Sequence, residues 1–260
     1  MRGSYELYVL IVTLTLVANH AGSVVLDLGH GYRHNVTSCW VPGVYFNVFD
    51  VVENGDPDNG TWYTAEQFST PEHCGTHMDA PYHFYKQGWK LGDIPLERFV
   101  VEGVHVNVTH QVNGNPDFML NVDHLRKWEQ VNGAFPNKSV VLINFGWSDK
   151  FGDRLEYYKS STSSDRRFPG LSAEAAQWIV DSGKFVGLGV DGPSTDAGIS
   201  STYPVHKILS KANMYSLENV ALNGTSLPAR GFKLVVQPIK ILDGTGGPCR
   251  ILAFTENKFE

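Results

Sequence analysis

The sequence predicts one mixed α/β domain at residues 22–260, preceded by a short N-terminal leader. Strand-like runs dominate the chain, and few segments have helical patterning. Two continuous apolar runs, residues 140–145 and 185–190, are typical of strands buried on both faces of a sheet. No internal repeat or linker divides the chain, and 260 residues fit one large domain.

The first half of the domain is rich in β-branched and aromatic residues, which favour strands. A Gly/Asp/Asn/Pro cluster at residues 54–60 predicts a loop between two of these strands. Residues 122–130 predict a helix that begins near Asp123. The strands predicted here are residues 24–28, 45–52, 61–69 and 99–108.

The second half contains the clearest helix, residues 172–182, with Ser172 as N-cap and Gly183 as C-terminal stop. Residues 150–167 are polar and rich in tyrosine and serine, which predicts a surface loop or lid. The other elements predicted here are strands at residues 140–145, 185–190, 232–241 and 251–254, a helix starting at 205–209 and a short segment at 217–222.

Residues 1–21 have the form of a signal peptide, although the cleavage bond is not fixed. Arg2 precedes a ten-residue apolar run, residues 8–17, which is too short to span a bilayer. Small residues follow this run. Five glycosylation sequons agree with a secreted, extracellular glycoprotein without a membrane span. These sequons begin at Asn35, Asn59, Asn107, Asn137 and Asn223.

The formal charge of -6 and the lack of a basic tract argue against nucleic acid or an anionic membrane surface as partners. Three cysteines remain after the leader, so at least one is unpaired or pairs between chains. We expect Cys39 to pair with Cys249, because a bridge at Cys74 would distort the stretch around it. Cys74 is also an alternative soft metal ligand, although its parity points it to the opposite strand face.

Residues 73–84 read H-C-G-T-H-M-D-A-P-Y-H-F and concentrate metal-binding and proton-transfer groups. In an extended strand, side chains two residues apart share a face. That parity places His73, His77, Asp79 and His83 on one surface. A helix is disfavoured, because glycine and proline interrupt the segment. The competing interpretation is a polar surface strand with scattered histidines.

Distances along an extended chain suggest different roles for these four side chains. His77 and Asp79 lie about 6.6 Å apart on a straight strand and can share a cation. His73 lies about 13 Å from His77, so it joins them only if the backbone bends, which costs least at Gly75. His83 lies further along the chain, across a kink expected near Pro81. It is therefore better placed for proton transfer than for binding the metal. Imidazole and carboxylate ligands together suit Zn²⁺, Mn²⁺ or Fe²⁺.

Further ligands are needed to complete such a site, and His206 with Glu218, twelve residues on, form the candidate pair. Glu218 is the lone acid of an apolar segment, where an unpaired carboxylate would be costly. Spacing alone does not decide between this pair and other histidines. His105 lies in a strand pattern and is expected to be structural.

The 73–84 stretch resembles the H-x-G-T-H-x-D-x-P-x-H-F signature of the metal-dependent cyclase family. That family includes bacterial-type kynurenine formamidases and isatin hydrolases. The resemblance covers nearly the whole mature chain. Further matching segments lie at residues 27–30, 189–196, 204–219, 238–240 and 244–250.

The resemblance implies a swivelling β/β/α domain, often dimeric, with two divalent metal ions, Zn or Mn. It implies that one metal is held by His73, His77 and Asp79. The second would be held by Asp79, His206 and Glu218, with the two carboxylates bridging. His83 would be the general acid/base.

The activity that the resemblance implies is metal-dependent hydrolysis of a small amide, N-formylkynurenine or a related aryl formamide. The alternatives are a cyclic amide or lactone hydrolase and a non-catalytic extracellular binding protein. Residues 39–43, C-W-V-P-G, depart from the family's Trp-Pro-Gly turn by the insertion of Val41. Trp40 is still the candidate to stack on an aromatic substrate.

Overall fold

The computed structural model describes residues 23–37, 39–56, 60–162 and 164–256. The expected signal peptide and Asn59 lie outside these residues. Within them, strands β1 to β12 are Ser23–Asp27, Asn47–Asp56, Thr61–Ser69, His77–Asp79, Val100–Asn107, Met119–Leu120, Ser139–Asn144, Gly170–Leu171, Phe185–Val190, Tyr215–Glu218, Phe232–Pro238 and Gly246–Glu256. Helices α1 to α5 are Thr109–Val112, Val122–Asn132, Arg154–Tyr158, Ala173–Asp181 and Pro204–Lys211.

Seven strands close into a barrel, in the order β12, β11, β5, β7, β9, β10, β4, with β4 paired back to β12. Strand β1 extends the sheet antiparallel to β12. The pairs β5–β7, β7–β9 and β9–β10 are parallel, whereas those of β4, β11 and β12 are antiparallel. The predicted mixed α/β class is confirmed, and the two continuous apolar runs form central strands of this sheet.

Strand β7 has an apolar core on each face. Val141 and Ile143 belong to a cluster that includes residues of helices α2, α4 and α5. Val140 and Leu142 belong to a cluster formed largely by strand residues of the barrel. Because alternate residues of a strand point to opposite faces, an unbroken apolar run serves both cores.

Helix α4 begins and ends where its capping residues predict. The Ser172 hydroxyl accepts a hydrogen bond from the Ala175 amide at 3.1 Å, which satisfies one free donor of the first turn. Gly183 follows the helix with a φ of +65°, a backbone conformation that glycine adopts without strain. Among the described residues, no helix has the length and apolarity to cross a membrane.

The expected surface loop at residues 150–167 is only partly correct. Its middle forms α3, and both Tyr157 and Tyr158 are buried. The Tyr157 hydroxyl donates to the Asp191 carbonyl at 3.1 Å and contacts the Asn219 side chain at 2.8 Å. These tyrosines belong to the core beside the pocket, because the rings bury apolar area while the hydroxyl finds polar partners.

The expected Cys39–Cys249 pairing is wrong. Cys39 forms a disulfide with Cys74, and Cys249 is a buried free thiol. Cys249 lies on β12 within the apolar barrel cluster. The bend at Gly75 allows Cys74 to pair without turning His77 and Asp79 away from their shared face.

His30 predicts a sensitivity of the fold to acid. Its ring stacks on Phe151 at 3.9 Å, and its Nε2 is buried without a partner in the described structure. Burial lowers the pKa of His30 to about 4, against an opposing effect of Asp149. The unfolded chain therefore binds a proton more readily, and the stability that neutral His30 contributes is lost as pH falls from 6.5 towards 4.

His30→Phe keeps a ring on Phe151 but removes this proton uptake. We expect the free energy of unfolding to fall less steeply between pH 6.5 and pH 4 in the variant than in the parent protein. Urea unfolding across that range, at one fixed metal content, measures the difference. Identical pH profiles would show that His30 is not a source of the acid sensitivity.

Candidate metal centre

The two sequence segments predicted to share a site lie side by side in the sheet. Strands β4 and β10 pair antiparallel, with His77 opposite Glu218 and Asp79 opposite Ser216. His206 lies on α5, which follows the loop after β9. Strand pairing therefore supplies the contact between segments that are far apart in sequence.

Four buried side chains converge at this point. His77 Nε2 lies 3.2 Å from Asp79 Oδ1 and 3.4 Å from Glu218 Oε2. His206 Nε2 lies 3.0 Å from Glu218 Oε1 and 3.4 Å from Asp79 Oδ2. Each carboxylate thus directs one oxygen towards His77 and the other towards His206. Each can therefore serve two neighbouring cation positions.

His73 and His83 lie at the edge of this cluster. The predicted bend is present, since Gly75 has a φ of +59°, and it brings His73 Nδ1 to 2.6 Å from Asp79 Oδ1. The kink is present as a short 3₁₀ turn at Pro81–His83. His83 is only partly exposed to solvent, because its ring stacks on His73 at 3.9 Å. Only His77–Asp79 is strand, so the alternation of a strand by itself places just His77 and Asp79 on one face.

Hydrogen bonds hold two of the imidazoles with Nε2 facing the cluster. His77 Nδ1 lies 2.9 Å from the Gly75 carbonyl. His206 Nδ1 lies 2.6 Å from Asp196 Oδ2, and the same carboxylate accepts the Val205 and His206 amides at the start of α5. Partners of this kind fix the tautomer and ring orientation of metal-binding histidines.

His73 instead faces the cluster with its Nδ1. Its Nε2 lies 2.8 Å from the Thr245 hydroxyl, and that hydroxyl donates to Glu72 Oε2 at 2.5 Å. Since the hydroxyl proton is directed to Glu72, His73 Nε2 carries a hydrogen, and Nδ1 is the ring nitrogen that faces Asp79. Gly246 permits this packing, because a Cβ there would lie 2.6 Å from His73 Cε1.

The cluster fits divalent cations. His77 Nε2 and Asp79 Oδ2 are buried without hydrogen-bond partners in the described structure. Buried polar atoms are seldom left unpaired unless a ligand or ion completes them. Ligand atoms come within mutual reach in two groups, which share Asp79. These groups are His73, Asp79 and His83, and His77, Asp79 and Glu218.

The buried charges depend strongly on one another. Burial disfavours the charge on Asp79, but His73 and hydrogen bonds from nearby imidazoles hold the pKa of Asp79 well below its usual range. Burial also opposes charge on His77, yet the neighbouring carboxylates of Asp79 and Glu218 raise the pKa of His77 to about 10. The carboxylates therefore attract positive charge, which a divalent cation would supply instead of protons.

A cavity of about 410 Å³ opens above the cluster. Its floor includes the four converging side chains, and its walls are largely aromatic and apolar. His83 faces this cavity, and burial lowers its pKa to about 4 against an opposing effect of Asp79. The aromatic wall consists of Trp40, Phe84, Tyr158 and Tyr203.

Trp40 is fixed in the wall by two arginines. The Trp40 carbonyl accepts hydrogen bonds from Arg154 at 3.3 Å and Arg166 at 2.6 Å. Its ring meets Tyr158 and Phe168 edge to face. The insertion of Val41 therefore leaves Trp40 in the cavity, while Val41 itself is 55% exposed.

Sequence patterns did not predict the roles of three supporting residues: Glu72, Thr245 and Asp196. Thr245 and Asp196 lie inside the motif segments, and Glu72 directly precedes His73. His105 is buried with Nδ1 3.0 Å from the Leu227 carbonyl, which confirms it as structural.

A closed mixed sheet with a histidine–carboxylate centre at one edge defines an α/β protein with a candidate dinuclear metal site. The family model described as "Putative cyclase" matches residues 26–197. The chain belongs to the cyclase family, and the family and fold that the motif implied are confirmed.

Named relatives agree with this assignment. Isatin hydrolase of Roseibium aggregatum is 30% identical over 204 residues, covering 75% of this chain and 76% of that protein. Kynurenine formamidase of Erythrobacter litoralis is 26% identical over 195 residues, covering 75% of this chain and 79% of that protein. Isatin hydrolase A from Labrenzia aggregata, solved with benzyl benzoate, has a TM-score of 0.83 at 28% identity and covers 95% of this chain and 100% of that chain.

Proposed function

We propose that the protein is a metal-dependent hydrolase of small aromatic amides. The observation that carries the proposal is the buried cluster in which Asp79 and Glu218 each face two imidazoles. One divalent cation would be held by His73, His77 and Asp79. A second would be held by Asp79, His206 and Glu218. Zn²⁺ and Mn²⁺ both accept this imidazole and carboxylate set.

Cations in this position supply an acidified water for attack and polarise the amide carbonyl. The protein's own contribution is position and proton transfer. Asp79 and Glu218 remain ionised and keep the two halves of the centre together. His83 stands beside His73 at the cavity, where its imidazole can accept a proton and pass it to the leaving nitrogen.

The aromatic wall points to an aromatic substrate. Trp40 presents a ring to the cavity and is held by Arg154 and Arg166, so an aryl group can stack on it without reordering the loop. An aryl formamide such as N-formylkynurenine is the first substrate to test. A fused cyclic amide such as isatin is the second, and the similarity to isatin hydrolases favours it.

A substrate panel tests this proposal. The purified metal-loaded protein is assayed with N-formylkynurenine, isatin and an aromatic lactone, each before and after chelation. Hydrolysis of one amide that stops on chelation and returns with Zn²⁺ or Mn²⁺ is expected. A metal-loaded protein that hydrolyses none of the three would instead favour a non-catalytic extracellular binding protein.

Secretion is part of the proposal. The leader of residues 1–21 and the Cys39–Cys74 disulfide both agree with an oxidising compartment. Asn35, Asn107 and Asn137 are exposed and accessible to a glycan, whereas Asn223 is half-buried. The family resemblance also supports a homodimer.

Thr245→Val tests the hydrogen-bond relay behind His73. Valine keeps the shape but removes the hydroxyl between His73 and Glu72. We expect metal affinity to fall about 10- to 100-fold, because outer partners of this kind orient the ligand. Titration with Zn²⁺ against a competing chelator measures the change. Thr255→Val, at the β1 edge of the sheet, is the control. Unchanged affinity for Zn²⁺ in Thr245→Val would show that this hydroxyl does not orient His73 for metal binding.

A further inference from the structure

Asn219 lies between the two halves of the candidate metal centre. It directly follows Glu218 at the end of β10, and its side chain is buried. Its φ is +57°, a left-handed conformation that asparagine adopts more readily than most residues. Its backbone amide donates to the Gly192 carbonyl at 2.9 Å, and its carbonyl accepts from the Thr76 hydroxyl at 2.6 Å. The main chain is therefore held on both sides of the point where this side chain leaves it.

The Asn219 side chain reaches the turn that precedes His77. Its Nδ2 donates to the Gly75 carbonyl at 2.7 Å, and that same carbonyl oxygen lies 2.9 Å from His77 Nδ1. Nδ2 lies 3.4 Å from His77 Nδ1. A carbonyl oxygen has two lone pairs and no hydrogen, so it accepts from both neighbours only when His77 Nδ1 carries a hydrogen. His77 Nε2 then keeps the lone pair that binding of a cation requires.

Tyr157 determines which way the Asn219 amide is turned. The hydroxyl hydrogen of Tyr157, which is shared with the Asp191 carbonyl at 3.1 Å, faces Asn219 Oδ1 at 2.8 Å. Because the Gly75 carbonyl can only accept, the amide must direct Nδ2 to it and Oδ1 to the hydroxyl. Tyr157 is 2% exposed and belongs to α3, so water does not compete for this contact.

We propose that Asn219 is a positioning residue of the metal centre. Supported by Tyr157, it holds the Gly75 carbonyl against His77 Nδ1 and so keeps His77 Nε2 directed at the cluster. The inference rests on the proposed metal-dependent function and adds two residues to the machinery that prepares it. Since Asn219 adjoins Glu218 in the chain and contacts the turn before His77, it also ties together the ligands proposed for the two cations.

Asn219→Gly tests the first link of this chain of hydrogen bonds. Glycine accepts the positive φ without strain, and only the side-chain amide is lost. We expect the affinity for Zn²⁺ to fall about 10- to 100-fold, as for other partners that orient a metal-binding histidine. Titration of the metal-free protein with Zn²⁺ against a competing chelator measures it. Unchanged affinity in Asn219→Gly would overturn the proposal.

Tyr157→Phe tests the second link, because it keeps the buried ring and removes the hydroxyl. The expected fall in Zn²⁺ affinity is about 2- to 10-fold, the equivalent of one hydrogen bond between neutral groups. Since Tyr157 acts through Asn219, the double variant should lose no more affinity than Asn219→Gly alone. Losses that simply add in the double variant would show that the two side chains act independently, which contradicts the chain.

Tyr215→Phe is the matched control. Tyr215 is also a buried tyrosine whose hydroxyl donates to a backbone carbonyl, that of Arg98 at 2.8 Å, and it lies on the same strand as Glu218. This variant loses the same kind of bond and should keep Zn²⁺ affinity within about twofold, because it shares no partner with the chain. An equal fall in Tyr157→Phe and Tyr215→Phe would mean that affinity only follows the stability of the fold.

The visible absorption of bound Co²⁺ supplies a readout that stability does not change, since the bands depend on the ligands and their geometry. We expect altered bands in Asn219→Gly and parent bands in Tyr215→Phe at saturating Co²⁺. Parent bands in Asn219→Gly would contradict a role in directing His77. Neither metal measurement needs turnover, so bound Zn²⁺ without hydrolysis would contradict the hydrolase proposal alone, whereas a parent protein that binds no Zn²⁺ would contradict both.

Discussion

Asp79→Asn is expected to remove both metal ions and nearly all hydrolytic activity. Asp79 is the carboxylate that contacts His73, His77 and His206 at once. The amide is a weaker ligand and carries no charge, so only Glu218 would be left to offset the repulsion between two cations at this centre. Loss of several kcal/mol of metal-derived catalysis corresponds to roughly 10³-fold or more in rate.

Metal analysis of the purified variant and its kcat/KM measure this effect together. Asp123→Asn is the matched control, because Asp123 is an exposed acid in the first turn of α2. The control should keep full metal content and full rate. An Asp79→Asn protein that retains both metals and more than a tenth of the parent activity would contradict the bridging role.

His83→Ala is expected to abolish turnover while metal content stays near the parent value. His83 stacks on His73 and lines the same cavity as Asp79 and Glu218, the two carboxylates proposed to hold the cations. Loss of a positioned proton-transfer group costs about 10²- to 10⁴-fold in rate. The expected result is thus a large fall in kcat with little change in bound metal.

Kinetics and metal analysis on the same preparation test this separation. His110→Ala changes an exposed histidine of α1 outside the centre and serves as the control. If His83→Ala loses metal and activity together, His83 is a ligand and not the proton carrier. If it loses neither, proton transfer must use another group.

The sequence predicted well those contacts of the cluster that depend on local geometry. Alternation along a strand placed His77 and Asp79 on one face, and they do point to a common centre. Glycine marked the bend that brings His73 back to Asp79. Continuous apolar runs likewise predicted strands with a core on each face.

Features that depend on long-range contacts were predicted less well. The Cys39–Cys74 bridge follows from the packing of the Trp40 loop beside the Gly75 bend, which no local pattern specifies. Closure of the barrel between β4 and β12 brings Thr245 behind His73 and was also not predictable from spacing. The burial of Tyr157 and Tyr158 in a polar segment depends on the pocket around them.

The cluster around Asp79 and Glu218 is proposed to hold two catalytic cations. Titration of a chelated sample with Zn²⁺ or Mn²⁺ tests this by counting the metal ions bound per chain while amide hydrolysis is followed. We expect two ions per chain and activity that rises with their binding. Full activity in the chelated protein, or saturation with metal and no hydrolysis, would contradict it.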